Sequence, residues 1–211
     1  MSAPPSPFSP EEFFARAGRR LSHAPPGAGT GTFGDDTLNP GMIPADMPLR
    51  DAAVLMPVVA RAEGATMLLT QRTPHLAAHA GQIAFPGGKI EAGDRDPAAA
   101  AVREAEEEIG LDPAKVATVG YLPPYLTRTG FRIVPVLGRV EPDHRLTLNR
   151  DEVADAFEVP LAFLMTPDNH REGSRVLLGA PRRFYEMPFG ERYIWGITAG
   201  IIRALYERVF G

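Results

Sequence analysis

The segment PAAAAVREAEEEIG, residues 97–110, constrains the fold more than any other part of the chain. Pro97 suits a first helical position and Gly110 a helix stop, so a helix is expected from about Pro97 to Ile109. Ala98, Val102, Ala105 and Ile109 form an apolar stripe that would dock this helix on a sheet. Glu104, Glu107 and Glu108 stand at i, i+3 and i+4 and project from one face, with Glu106 adding a fourth carboxylate. Like charges at these spacings cost tenths of a kcal/mol per pair, and in the later turns they also oppose the helix dipole. A fold tolerates such a cluster if the face is well solvated or if cations neutralise it.

Around this helix, strands and helices alternate without a βαβ rhythm, which predicts an α+β sandwich with helices flanking a mixed sheet. AAVLMPVVAR (52–61) reads as a buried strand and TMLLTQR (66–72) as its partner across Glu63-Gly64. Val116–Leu122 and Phe131–Val140 read as further strands, and Leu161–Leu164 as a short helical turn. Arg175–Leu178 with Phe184–Met187 is expected to form a small hairpin. Trp195–Phe210 should be an amphipathic closing helix, with Trp195 and Phe210 in the core. Near the start, Ser9, Pro10 and Glu12 have the pattern of a capping box before Phe13, Phe14 and Leu21. The expected division is an N-terminal helix and Pro/Gly-rich extension over 1–50, then one domain over 51–211.

Composition removes several classes of function. The 211 residues contain no cysteine, which excludes disulfide scaffolds, thiol catalysis and iron–sulfur sites. A net charge of −4, from 22 Lys+Arg against 26 Asp+Glu, argues against nucleic-acid or anionic-membrane binding. No apolar stretch reaches the roughly 18 residues of a membrane span. MSAPPSPFSPEEFF lacks the basic and apolar regions of a signal peptide, so a cytoplasmic location is expected. Gly29–Gly34 matches G-x-G-x-x-G, but without a preceding strand or a following helix it reads as a loop.

Just before the acidic helix, Phe85-Pro86-Gly87-Gly88 makes a bend in which backbone carbonyls can approach a ligand closely. With Arg103 beside it, an all-oxygen cluster of this kind suits Mg²⁺ or Mn²⁺, ions that bridge carboxylates to substrate phosphates. The segment resembles the box of the Nudix hydrolases, G-x5-E-x7-R-E-U-x-E-E-x-G-U with U aliphatic. Gly88, Arg103, Glu104, Glu107, Glu108, Gly110 and Leu111 match, and Ala105 stands for the first aliphatic. Asp94 replaces the first Glu, with one extra residue before Arg103, both as in the coenzyme-A-directed branch of that family. LLTQRTPHLAAHAGQIAFPGG (68–88), PPYLTRTGFRIVPVLG (123–138) and RYIWGITAGIIRAL (192–205) also resemble that branch, so the likeness runs over about residues 51–206.

The resemblance implies an α/β/α sandwich and divalent-metal-dependent hydrolysis of a nucleoside diphosphate-linked compound. Coenzyme A or acyl-CoA leads, giving 3′,5′-ADP and (acyl-)4′-phosphopantetheine; ADP-ribose, NADH or another nucleotide, or a non-catalytic binding domain, are the alternatives. It implies Glu104 and Glu108 as metal ligands, and Glu107 as a third ligand or the group that handles water. The Gly87 carbonyl would complete the shell and Arg103 would orient the glutamates. Glu152, ahead of Glu158-Val159-Pro160-Leu161, is the candidate general base. The branch signature has an arginine where this chain has Ala77, leaving Arg72, Lys89, Arg128 and Arg132 as candidate phosphate contacts. His75 and His79 flank the signature, and Tyr121 or Tyr125 could stack on adenine. The expected partner is a small-molecule nucleotide; homodimerisation is left open.

Overall fold

The computed structural model describes residues 6–27, 30–75, 80–177 and 179–211. Its centre is β2 (Arg50–Val59), which runs parallel to β8 (Phe131–Val140) along its whole length, from Arg50↔Phe131 to Val59↔Val140. β2 is buried on both faces, as a central strand of an apolar run must be. Ala53, Leu55 and Val59 face one layer, whereas Met56 and Val58 face the other.

On its second edge β2 meets two different partners. Ala52–Val54 pair antiparallel with β5 (Gly87–Lys89), whereas Val58 and Val59 pair with β3 (Thr66–Arg72). The sheet therefore forks, with β4 (Ile83–Ala84) staying on β3 and β5 on β2. Pro57 falls between the two pairings, where the amide hydrogen it lacks has no ladder to join. Outward from β8 lie β6 (Val116–Tyr121) and β7 (Tyr125–Leu126), with β1 (Phe33–Gly34) parallel to β7. β9 (Val153–Pro160) pairs along β3. A separate three-stranded sheet is built from β10 (Arg171–Leu177), β11 (Ala180–Phe189) and β12 (Arg192–Trp195).

Helices cover both faces of the main sheet. α2 (Pro97–Ile109) packs Ala98, Ala101, Ala105 and Ile109 against Leu55, Leu68, Val134 and Val136. Asp96 caps it by accepting from Ala99 N–H at 2.8 Å, and Gly110 ends it in the left-handed region at φ 65°. α1 (Pro10–Arg20) and α4 (Ile197–Phe210) cover the opposite face, where Phe13, Ala17, Ile201 and Leu205 join Met56, Met67 and Leu137. α3 (Leu161–Leu164) closes the end of β9. This is the expected α+β sandwich with a mixed sheet between helices.

Three local expectations are corrected. Ser9 Oγ accepts from Glu12 N–H at 3.4 Å, but the Glu12 carboxylate turns to Arg16 at 2.7 Å, so the capping box is only half formed. The hairpin is longer than Arg175–Leu178 with Phe184–Met187: pairing runs from Arg171↔Glu186 to Leu177↔Ala180, and residue 178 lies outside the described residues. Trp195 ends β12 rather than opening α4, because Gly196 at φ 65° breaks the chain between them. No helix is long and apolar enough to cross a membrane among the described residues.

Candidate active site

The acidic face of α2 lies against the fork of the sheet. Glu108 falls on the buried side of the helix, only 5% exposed, because it follows Ala101 and Ala105 around the docking stripe. Its Oε2 accepts from Gly87 N–H at 3.3 Å, and Arg72 Nη1 stands 3.9 Å from Oε1. Burial pushes its carboxyl up to about 7, helped by the charges of Glu104 and Glu152 and opposed by the Gly87 N–H and Arg72. Glu104 is half-buried and also raised, again through burial first, with Glu107 and Glu152 adding repulsion. Its carboxyl occupies the space over Gly88, where an added Cβ would come within 2.5 Å. Gly87 adopts φ 156° and its missing Cβ would strike Ala53 O at 2.4 Å, so glycine is required there by the backbone, whereas at Gly88 a Cβ would displace only the Glu104 carboxyl.

Arg103 ties the site together. Its Nε and Nη2 donate to Asp94 at 3.0 and 3.1 Å, Nη1 to Glu104 at 3.0 Å and to Glu107 at 3.3 Å, and Nη2 also to Lys89 O at 3.2 Å. Every donor group is spent on the protein, which suits a residue that orients carboxylates. Asp94, the departure from the family box, is the bidentate partner that makes this grip possible. Its carboxyl is held below the usual range by the hydrogen bonds from Arg103 and from Glu91 N–H.

Glu152 is exposed, on the loop before β9. That loop is stitched to the end of α2: Asn149 N–H donates to Glu108 O at 2.9 Å, and Glu152 N–H donates to Asn149 O at 3.1 Å. Thr73 N–H, at the end of β3, donates to Glu152 O at 2.9 Å. The structure thus brings Glu152 into the electrostatic reach of Glu104 and Glu108 across some forty residues of chain. Asn149 was not anticipated from sequence, since its contribution is made by its backbone.

The cations are distributed unequally. Arg72 faces Glu108, and its Nε is buried without a partner. Lys89 is exposed at the end of β5. Arg128 is on the turn after β7, where its backbone N–H donates to Asp35 at 2.9 Å and its Nε, like that of Arg72, is buried without a partner. Arg132 pairs with Asp51 at 3.2 Å and donates to Pro26 O and Gly27 O. Tyr121 and Tyr125 are 6% and 5% exposed, and the Tyr125 hydroxyl donates to Asp35 at 3.0 Å, so neither can stack on a ligand. His75 sits beside Asp151 O at 3.2 Å. Ala77 and His79 lie outside the described residues, as does Gly29 of the glycine-rich loop; Phe33–Gly34 of that loop forms β1, with no helix after it.

The donor set fits a divalent cation. It is entirely oxygen, it carries more negative charge than Arg103 and Arg72 cancel, and two of its carboxyls are raised, first by burial and then by the neighbouring carboxylates. Among the described residues no three acidic or histidine side chains are yet gathered to hold an ion. The reason is visible: Arg103 draws Glu107, and part of Glu104, to itself.

The model of the NUDIX domain matches residues 49–178. The uncharacterized Nudix hydrolase NudL of Escherichia coli K12 is 42% identical over 156 residues, which is 74% of this chain and 81% of that protein. This chain belongs to the Nudix hydrolase family. Members of the family hydrolyse nucleoside diphosphate derivatives and generally use divalent metals such as Mg²⁺ or Mn²⁺. Among solved structures, the Nudix hydrolase RenU of M. smegmatis resembles it with TM-score 0.46 and 24% identity, covering 54% of this chain and 71% of that one. DR0079 of Deinococcus radiodurans does so with TM-score 0.49 and 14% identity, over 77% and 87% of the two chains. In this Nudix hydrolase the box helix is α2, and its preceding glycines lie in β5, on the β2 side of the fork.

Proposed function

We propose that this Nudix hydrolase cleaves the diphosphate of coenzyme A or acyl-CoA, releasing 3′,5′-ADP and 4′-phosphopantetheine or its acyl form. The observation that carries the reading is the seating of Glu104 over Gly88 and of Glu108 on the Gly87 N–H beside Arg72, with Glu152 on a neighbouring loop within their electrostatic reach. The branch likeness over 68–88, together with Asp94 in place of the first box Glu, supports the choice of substrate. Glu104 and Glu108 would hold Mg²⁺ or Mn²⁺, with Glu107 and the Gly87 carbonyl as further oxygens. When bound, the ion neutralises phosphoryl charge and acidifies water.

The chain's own residues do the rest. Arg103 and Asp94 fix the direction of Glu104 and Glu107. Arg72, beside Glu108, and the exposed Lys89 offset the charge of the diphosphate as it enters. The Glu152 carboxylate takes the proton of the attacking water. Positioning and charge neutralisation account for most of the rate in phosphoryl chemistry of this kind.

The test is incubation of the full chain with coenzyme A and Mg²⁺ or Mn²⁺ in heavy-oxygen water, with products read by mass spectrometry. The expected result is 3′,5′-ADP and phosphopantetheine, one of them labelled, and none when the metal is chelated. Cleavage of ADP-ribose or NADH with coenzyme A untouched would overturn the substrate. Absence of metal-dependent cleavage across the whole panel would make this a binding domain.

A further inference from the structure

A second recognition feature lies on the other side of β3. A cleft of about 680 Å³ is lined there by Gln71, Arg175, Glu191, Arg192, Tyr193 and Trp195. Gln71 and Arg72 are consecutive on β3, so their side chains leave opposite faces of the same strand end. The cleft and the acidic centre are therefore neighbours around that end, and a substrate with two arms joined at a diphosphate can span both.

The arginines near this cleft are not equivalent. Arg182 is paired with Asp35 at 2.8 Å, Arg183 with Glu172, and Arg192 with Asp155 at 2.5 Å and with Gln71. Arg175 makes no ion pair among the described residues. Its guanidinium lies 4.5 Å from the centre of the Trp195 ring and 5.7 Å from that of Phe184. A guanidinium held over an indole face keeps its charge, which no carboxylate takes up among the described residues, and the Tyr193 hydroxyl is hydrogen-bonded to it. Tyr193, 36% exposed, stands next to Trp195 at 6.3 Å between rings. Trp195 itself is braced by Phe184 at 5.3 Å.

We propose that Arg175, seated on Trp195, binds a phosphate monoester on the nucleotide arm of the substrate. The inference rests on the coenzyme-A-like reading above, in which that arm carries a 3′-phosphate. A planar fork matches a phosphate bidentately, and it supplies a positive charge to a chain whose sequence has Ala77 in place of the signature arginine.

Trp195 is the single tryptophan of the chain, so its fluorescence reports the subsite directly. The full chain is titrated with 3′,5′-ADP and with 5′-AMP, without metal. The expected result is a saturable change in emission, with 3′,5′-ADP bound roughly tenfold more tightly than 5′-AMP. Arg175→Ala removes that difference, Arg175→Lys retains part of it, and Arg171→Ala, on the same strand, leaves it intact. In turnover, Arg175→Ala raises KM for coenzyme A about tenfold with kcat little changed, and leaves KM for dephospho-coenzyme A as it was.

Equal affinity for the two nucleotides, or an unchanged preference in Arg175→Ala, overturns the subsite. The two readings fail separately. Loss of all hydrolysis with 3′,5′-ADP still preferred would sink the catalytic reading alone. Hydrolysis that ignores the 3′-phosphate would sink only the subsite.

Discussion

The fork of the main sheet and the β10–β12 sheet are built on opposite electrostatic plans. At the fork, Asp94, Glu104 and Glu107 crowd around Arg103, Glu108 faces Arg72, Glu152 adds its charge from the next loop, and burial raises two of these carboxyls. On the small sheet, arginines outnumber the acids that face them, and aromatic rings support one that has no carboxylate. The first arrangement is short of positive charge and the second offers it. The core of the first comes from a single helix and its preceding loop, so spacing along the chain defines most of it, with Arg72 and Glu152 added from β3 and the loop before β9. The other is assembled from three strands and fastened to the N-terminal extension, where Asn39 accepts from Arg183 N–H at 2.8 Å and donates to Arg183 O at 2.9 Å.

The largest effect should come from the acidic side. Glu108→Gln keeps the size of the side chain and its contact with Gly87 but removes the charge, and turnover should fall about 10² or more with the far-ultraviolet dichroism unchanged. Near-normal turnover would take Glu108 out of the chemistry. Next is the fastening of the small sheet. Asp35 is 8% exposed and accepts from the Tyr125 hydroxyl, Arg128 N–H and Arg182. Asp35→Ala strands these donors, and a denaturant titration should show a loss of about 2 kcal/mol. A loss within a few tenths would mean that water replaces the carboxylate and that the small sheet is held by other contacts.

A smaller effect belongs to the glycines before α2. Gly88→Ala places a methyl group 2.5 Å from the Glu104 carboxyl, which must move, and activity should drop roughly tenfold. Gly93→Ala is the control, since nothing lies within 4 Å of its added Cβ. Equal rates in the two would separate Glu104 from Gly88.

The smallest effect is on stability without metal. Glu108 holds its proton up to about 7 in the folded chain against an ordinary 4.5, so between those values the folded state binds more protons than the unfolded state. Stability contributed by this group therefore falls as pH rises through that window. The melting temperature of Glu108→Gln, relative to the parent in chelator, should rise from pH 4.5 to pH 7. A constant difference would mean that Glu108 is already ionised at the lower pH.

How much of this was legible in the sequence follows from how local each signal is. The bounds of α2 came out right because the cap and the stop are both local: Pro97 opens the helix and the left-handed Gly110 ends it. β8 and α3 were equally plain, one from its apolar run and one from its position after Pro160. The hairpin was drawn too short because Arg171, Glu172, Arg182 and Arg183 are polar and exposed or half-buried, leaving no alternation to follow. β9 entered only as the strand that follows Glu152, since its partner β3 lies some eighty residues earlier. Arg103 and the glutamates were visible as a spacing, but their hydrogen bonds were not. The isolation of Arg175 on Trp195 depends on strands β10 and β12 lying either side of β11, which no local pattern announces.

The grip of Arg103 has a consequence for how this loop can vary. One guanidinium clasps Asp94 in the loop, the Lys89 carbonyl at the strand's end and two glutamates of the helix. The loop is thereby anchored through a side chain and not through ladder register. An added residue between strand and helix can bulge outward without loosening the catalytic face, provided one carboxylate still arrives at that clasp.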